Sequence, residues 1–316
     1  MNERIKGLIA APFTPMDSLG KLNLSVIERY AIELKQDGVK GVFVCGTTGE
    51  GLSLTLDERK HLLGEWIKYQ EPGFKVIIHV GSTSYLQSIE LARHAAAKGV
   101  YAISAMGPPF FQPKQVEELI GYCKKIAGEA PETPFYYYHN PAMSGVTLSM
   151  QRFLLDATGV IPNLRGIKFT HNDLMELQQC LMIENDNLDI ILGYDEVLLG
   201  GLVLGIQAAI GSTYNFMAPV YMEMIRCFER GDLMAARKLQ RYAVKIVELL
   251  HQFGGWVVGG KHIQSLCGID CGNCRLPLGK LTDNEVKLLR KNLDDLDFFT
   301  LRRDPDLSTL EKFVTG

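Results

Sequence analysis

Lys168 puts an ammonium at the end of Leu164-Arg165-Gly166-Ile167, a short run with the look of a sheet strand. A charge near a sheet interior is costly unless it is paired or neutralised. A lysine amine that has given up its proton attacks carbonyl carbon, and the resulting imine accepts electrons when a neighbouring carbon bond breaks. The chemistry suggested is Schiff-base cleavage of a 2-oxo acid. The plainer readings are a lysine just past the sheet that snorkels to water, or one that pairs with Asp195 or Glu196.

Other apolar runs also end in polar groups. Tyr138, in Tyr136-Tyr137-Tyr138-His139, offers a phenolic proton for imine formation and for removing a hydroxyl proton. Strand alternation sends Tyr136 and Tyr138 to one face and Tyr137 and His139 to the other, so His139 reads as a packing or supporting residue. An aromatic strand can also be simple packing. Thr47 and Thr48, flanked by glycines in Gly46-Thr47-Thr48-Gly49-Glu50-Gly51, present hydroxyls and amides suited to a carboxylate, or else form an ordinary turn. The Gly-Lys-Ser or Gly-Lys-Thr ending of a nucleotide phosphate loop is missing.

Thr170 closes Lys168-Phe169-Thr170, and Gly193-Tyr194-Asp195-Glu196 follows the next apolar run. Asp195 and Glu196 can accept hydrogen bonds from a polyhydroxylated substrate or stabilise a helix's first turn. Adjacent acids are a poor match to the separated pair of a glycosidase. Ser212 and Thr213 can bind hydroxyls or cap the next helix. His79, His94, His139 and His171 make no HExxH pair or compact triad, so metal-assisted aldol cleavage is not indicated. Cys267, Cys271 and Cys274 are spaced C-x3-C-x2-C without a clear fourth ligand. No metal and no cofactor is expected.

These residues need a frame that gathers strand ends. Apolar runs occur at Leu8–Ala11, Gly41–Cys45, Val76–Val80, Ala102–Met106, Pro134–Tyr138, Leu164–Lys168, Leu188–Leu192 and Gln207–Ile210. Amphipathic stretches separate them: Val26–Lys35, Leu56–Tyr69, Leu86–Lys98, Val116–Ile126, Gln151–Ala157 and Leu174–Glu184. Ser25 with Glu28, Thr55 with Glu58, and Ser84 with Gln87 fit capping boxes. Eight strand and helix units predict an α/β fold, a closed (β/α)8 TIM barrel over residues 1–217, in preference to an open doubly wound sheet. Residues 218–316 read as the last barrel helix and a C-terminal helical extension: Met217–Arg230, Leu233–Phe253 and Asn284–Leu296, the last with Thr282 and Glu285 as a capping box. The tail from Arg302 to Gly316 is polar and carries no firm helical reading.

The 33 basic and 36 acidic side chains give a formal charge of -3 with no basic block, which argues against a nucleic-acid partner. Met1 to Gly7 is polar, unlike a secretory signal, and no run reaches roughly 18 apolar residues. No membrane association and a cytoplasmic location are expected. The odd set of seven cysteines fits reduced thiols better than a disulfide scaffold.

Gly46 to Glu50, the strand-five Tyr138 and Gly166-Ile167-Lys168 together resemble the pyruvate-dependent class I aldolase family that contains N-acetylneuraminate lyase and dihydrodipicolinate synthase. The resemblance covers most of the chain. It implies a barrel with a C-terminal helical extension, assembled as a homotetramer. It also implies that Lys168 forms a covalent imine with substrate or pyruvate, that Tyr138 transfers protons, and that Thr47 and Thr48 hold the carboxylate.

The sialic-acid-cleaving branch is the better match, through Tyr136 to His139, Lys168 to Thr170, Gly193 to Glu196 and Ile210-Gly211-Ser212-Thr213-Tyr214-Asn215. By that resemblance the substrate is a sialic acid or a related 2-oxo acid. Thr170 and Gly193 position its cleaved chain, while Asp195, Glu196 and Ser212 recognise sugar hydroxyls. The synthase branch places an arginine shortly after the strand-five tyrosine, where this chain has Ala142-Met143-Ser144-Gly145, and a tyrosine after strand four, where this chain has Phe110-Phe111. Asn140 stands where some lyases carry an apolar residue, a departure expected to alter the pocket wall and leave Lys168 intact. The rival from another class is a binding or sensing barrel that holds anions at Thr47 and Thr48 without turnover.

Overall fold

The computed structural model describes residues 4–185 and 187–314. Its eight strands, β1 (Gly7–Ala10), β2 (Gly41–Val44), β3 (Lys75–His79), β4 (Ala102–Met106), β5 (Phe135–His139), β6 (Leu164–Phe169), β7 (Asp189–Leu192) and β8 (Ala208–Gly211), close into one barrel in sequence order. Every neighbouring pair is parallel, β1 with β8 included. This is the expected (β/α)8 barrel. Strand ends on one rim therefore face a common mouth.

Alternation sorts the apolar residues into two layers. Ile9, Phe43, Ile77, Tyr136, Tyr138, Ile191 and Ile210 fill the barrel, while Leu8, Val42, Ile78, Tyr137, Ile167 and Phe169 face the surrounding helices. The β5–β6 register slips between Phe135 and Tyr136, so that Leu164 pairs with Phe135 and Gly166 with Tyr136. Gly166 takes a φ of +143°, and a Cβ there would lie 1.8 Å from the Asp189 carbonyl oxygen. Only glycine passes this point without displacing β7. Beyond the slip, Lys168 sits level with Tyr138.

The helices are α1 (Ile27–Gln36), α2 (Leu56–Trp66), α3 (Tyr85–Ala97), α4 (Val116–Ala127), α5 (Pro141–Ser144), α6 (Met150–Ala157), α7 (Leu174–Leu181), α8 (Leu198–Leu204), α9 (Tyr214–Glu229), α10 (Leu233–Gln252), α11 (Gly255–Leu266), α12 (Asp283–Asp295), α13 (Phe298–Leu301) and α14 (Leu307–Val314). Capping boxes form at Thr55 and Thr282. The other two do not. A 3-10 turn over Leu24–Val26 precedes α1, and the Ser25 hydroxyl donates to Asn23 Oδ1 instead. Ser84 does occupy the N-cap of α3 but makes no cap bond, while Gln87 accepts from Ser82 Oγ at 2.7 Å.

Helices α5, α8, α11, α13 and α14 lie outside the predicted set. The Gly255-Trp256-Val257-Val258-Gly259-Gly260 start of α11 has weak intrinsic helicity, but its glycines meet packing demands. A Cβ on Gly260 would sit 2.5 Å from the Phe13 ring, and one on Gly259 would sit 2.9 Å from the Phe253 carbonyl oxygen. Tertiary contact overrides propensity here. In the tail, Leu310 of α14 is fully buried; Thr315 and Gly316, like Met1 to Glu3 of the polar N-terminus, lie outside the described residues.

The extension is bound to the barrel through charge as well as apolar packing. Arg302 donates to the Phe216 carbonyl at 2.7 Å and to Glu33 at 3.1 Å, and Arg303 reaches Asp37 at 2.7 Å. Among the described residues no helix is long and apolar enough to cross a membrane.

Candidate active site

At the barrel mouth, the Gly46–Gly51 turn follows Cys45, held in the left-handed region at φ 59°, and contains Glu50, held there at φ 54°. Such conformations cost roughly 1–3 kcal/mol each and persist only where surroundings enforce them. Gly51 donates to the Gly46 carbonyl at 3.1 Å, and its missing Cβ would lie 1.8 Å from the Cys45 carbonyl oxygen. Glu50 points away from the cavity into a fully buried ion pair with Lys261 of α11 at 2.7 Å, and its other oxygen accepts from the Arg275 amide at 2.8 Å. Glu50 is thus the clamp that holds the threonine turn, linking it to the extension.

Thr47 Oγ1 lies 3.2 Å from Tyr138 Oη, and Asn140 Nδ2 donates to the same phenolic oxygen at 3.1 Å. Lys168, 5 % exposed, neither snorkels nor reaches water freely: its Nζ stands 4.3 Å from the Tyr138 ring centroid and 4.4 Å from that of Phe43. Burial alone pushes the Tyr138 phenol up, but the Lys168 ammonium and the hydrogen bonds from Thr47 and Asn140 outweigh it and bring the phenol below its ordinary value. His79 packs edge-on to Tyr138 at 5.8 Å and accepts from the Met106 amide at 3.1 Å. Burial, with Arg59 and Lys168 nearby, holds that imidazole neutral.

The far wall comes from β7 and β8. Gly193 must be glycine because a Cβ would lie 1.9 Å from Thr170 Oγ1 and 3.1 Å from Lys168 Cε. Thr170 Oγ1 is buried without a protein partner, a group suited to an incoming hydroxyl. Asp195 Oδ2 accepts from the Thr213 amide at 2.9 Å and the Thr213 hydroxyl at 2.6 Å, and that hydroxyl lies 2.8 Å from Tyr221 Oη. Asn215 donates to the Ala11 and Ser212 carbonyls at 2.7 Å each, tying the end of β8 to β1.

A cavity partly open to solvent joins these groups: Thr47, Thr48, Tyr138, Lys168, Thr170, Gly193, Asp195, Glu196 and Ser212 all line it. Every site residue read from the sequence therefore meets at one place. One end holds an amine, a phenol and two threonines, a set able to form an imine and move protons. The rest is lined by hydroxyls and carboxylates.

A model of the dihydrodipicolinate synthetase family matches residues 4–296. The chain belongs to this family. Among its relatives, N-acetylneuraminate lyase of Gallus gallus is 41% identical over 298 residues, covering 93% of this chain and 97% of the relative. The solved N-acetylneuraminate lyase, or sialic acid aldolase, of Aliivibrio salmonicida superposes with a TM-score of 0.91 at 40% identity, covering 94% of this chain and 98% of that one. The Proteus mirabilis N-acetylneuraminate lyase gives the same TM-score and identity, covering 94% of this chain and all of its own. As a member of the dihydrodipicolinate synthetase family, the chain is a carbon-carbon lyase.

Sequence reasoning passed over part of this family member's cavity. Asn140 lines the cavity wall as its position implies, and beyond that its amide donates to the Tyr138 phenol. Thr213 lines the cavity and gives both its amide and its hydroxyl to Asp195, which it orients. Val247, Leu250 and His251 of α10 and Trp256 of α11 close the rim from the extension, and no spacing in the sequence signals that approach.

Burial and the neighbouring Asp195 charge push Glu196 up from its ordinary 4.5 to about 7. The folded chain therefore keeps a proton that the unfolded chain releases between 4.5 and about 7, so stability falls as pH rises through that window. Glu196→Gln is expected to remove this slope, read from melting curves at pH 5 and pH 8. The same substitution should flatten the part of the KM profile that titrates near 7.

Proposed function

We propose that the chain carries out the reversible aldol cleavage of N-acetylneuraminate to pyruvate and N-acetyl-D-mannosamine. The observation that carries this reading is the joining of Lys168, Tyr138 and Thr47 at one end of a cavity whose remaining length presents Thr170, Asp195, Glu196 and Ser212. The open-chain ketone condenses with Lys168 and releases water, while Thr47 and Thr48 hold the carboxylate. Removal of the C4 hydroxyl proton, relayed through Tyr138 or the substrate carboxylate, breaks the C3–C4 bond. The bond's electrons enter the imine as an enamine. Protonation at carbon and hydrolysis then release pyruvate and restore the amine. These residues supply the whole reaction without a metal or nucleotide.

Asp195, Glu196 and Ser212 are assigned to the hydroxyls of the sugar chain, with Thr170 and Gly193 shaping the space beside the breaking bond. Among the described residues lining the cavity there is no arginine to grip a second carboxylate, and this favours a sugar-derived substrate over the synthase reaction. The exposed Phe110, Phe111, Leu86 and Leu276 supply apolar surface for self-association, for which a homotetramer is the proposed form, and the cytoplasm is the compartment that suits seven free thiols.

Purified protein given N-acetylneuraminate should form pyruvate and N-acetylmannosamine in equal amounts, with light scattering on the same sample reading the assembly. Pyruvate accompanied by another aldehyde from a different 2-oxo acid, and none from N-acetylneuraminate, would overturn the substrate assignment while leaving the imine chemistry standing.

A further inference from the structure

Behind the wall that carries Tyr138 and Lys168, His139 faces outward and meets the segment joining β6 to α7. There His171, Asp173 and Glu176 bring one imidazole nitrogen and two carboxylate oxygens within 4.8 Å of one another. His139 is 1 % exposed, neither of its ring nitrogens has a protein hydrogen-bond partner, and Nε2 lies 3.7 Å from Glu176 Oε2. Its ring stands 5.7 Å from that of His171 at 74°. An imidazole buried with both nitrogens unmatched is costly, so its orientation toward this cluster calls for a partner.

The carboxylates are already oriented. Asp173 gives one oxygen to the Glu176 amide at 2.9 Å, and Glu176 gives one to the Met150 amide at 2.8 Å, which leaves each a second oxygen to offer. We infer that His139, His171, Asp173 and Glu176 bind one divalent cation of the zinc or cobalt type through two nitrogens and two oxygens.

The donor types suit such an ion. At bond lengths near 2.0–2.2 Å, four-coordinate ligand atoms lie about 3.4 Å apart. The His139–Glu176 spacing is close to that, and His171 and Asp173 are only partly buried and so reachable by an incoming ion, which would draw the four donors together. Because His139 faces away from the cavity, the ion would touch no substrate. It would join the ends of β5 and β6 to α7, fixing the two strands that carry Tyr138 and Lys168, and these four are therefore positioning residues.

Tag-free protein dialysed against EDTA and titrated with Co2+ is expected to bind one equivalent. The bound ion should show the visible d–d band of a four-coordinate site and no thiolate-to-cobalt charge-transfer band, which separates this site from the cysteines. Zn2+ should displace the Co2+ and raise the melting temperature. His171→Ala and Glu176→Gln, both at partly exposed positions, should each weaken binding at least about 10-fold. A thiolate band, or an affinity unchanged in both variants, overturns the inference. So does the absence of any d–d band in the wild-type protein, as expected if His139 and Glu176 simply close to a direct hydrogen bond. That wild-type titration decides the question even if a variant does not fold.

Discussion

Lys168→Ala is expected to abolish the covalent adduct that borohydride fixes in the presence of pyruvate or N-acetylneuraminate, and to lower kcat/KM by at least about 10⁴-fold, the scale on which an enzyme loses its nucleophile. The reason lies in the position of the amine. Its Nζ is held over the Tyr138 and Phe43 rings, 4.3 Å and 4.4 Å from their centroids, on a buried side chain. Alanine leaves these rings in place, so a folded but inert protein is the expected product. Peptide mass mapping of the wild-type adduct should place it on Lys168. An adduct on another lysine, or turnover surviving the substitution, would reject the mechanism, whereas pyruvate binding with no adduct in the wild type would favour the binding-barrel alternative.

Tyr138→Phe comes second in size. It keeps the ring that Lys168, Phe43 and His79 pack against and removes the oxygen that Thr47 and Asn140 hold at 3.2 Å and 3.1 Å. Loss of a positioned proton carrier typically costs about 10²–10⁴-fold, and the loss should fall on kcat with KM changed far less. Because the phenol lies below its ordinary value, the wild-type profile should carry an alkaline limb from Tyr138, and that limb should vanish in the variant. Tyr136→Phe is the control. Its hydroxyl donates to Asp189 at 2.6 Å deep in the barrel, away from the cavity lining, and its removal should leave kcat intact. Equal losses from the two substitutions would mean that Tyr138 acts through packing alone.

Much of the site could be read from the chain because its groups follow directly on strands. Tyr138, Lys168, Thr170 and Gly193 occupy the last residue or two of β5, β6 and β7 or the position just beyond, and a parallel closed sheet carries such positions to one rim whatever the loops do. The parity of Tyr136, Tyr137 and Tyr138 was likewise fixed by strand geometry, with the outer two inside the barrel and Tyr137 against Phe153. Helix α11 was not legible, because its glycines lower local helicity and are explained only by Phe13 and Phe253 pressing on them. Two of the four capping boxes failed for a related reason: the right residue types were present, but nearby Asn23 and Ser82 offered closer partners.

The sequence by itself determined the order of strands and helices, the closed parallel barrel and the family of chemistry, since all of these rest on short-range periodicity and on residue type at strand ends. Tertiary structure alone decided what those residues meet. Glu50, within the most legible motif, turned out to be a buried clamp against Lys261. Asn140 became a donor to the Tyr138 phenol, and His139 from strand five came to face His171, Asp173 and Glu176 from the next crossover. Contacts of this kind join residues that are distant in the chain or on neighbouring strands. Their existence depends on register, on the β5–β6 slip and on how an added helix packs, and none of these leaves a periodic trace in the sequence.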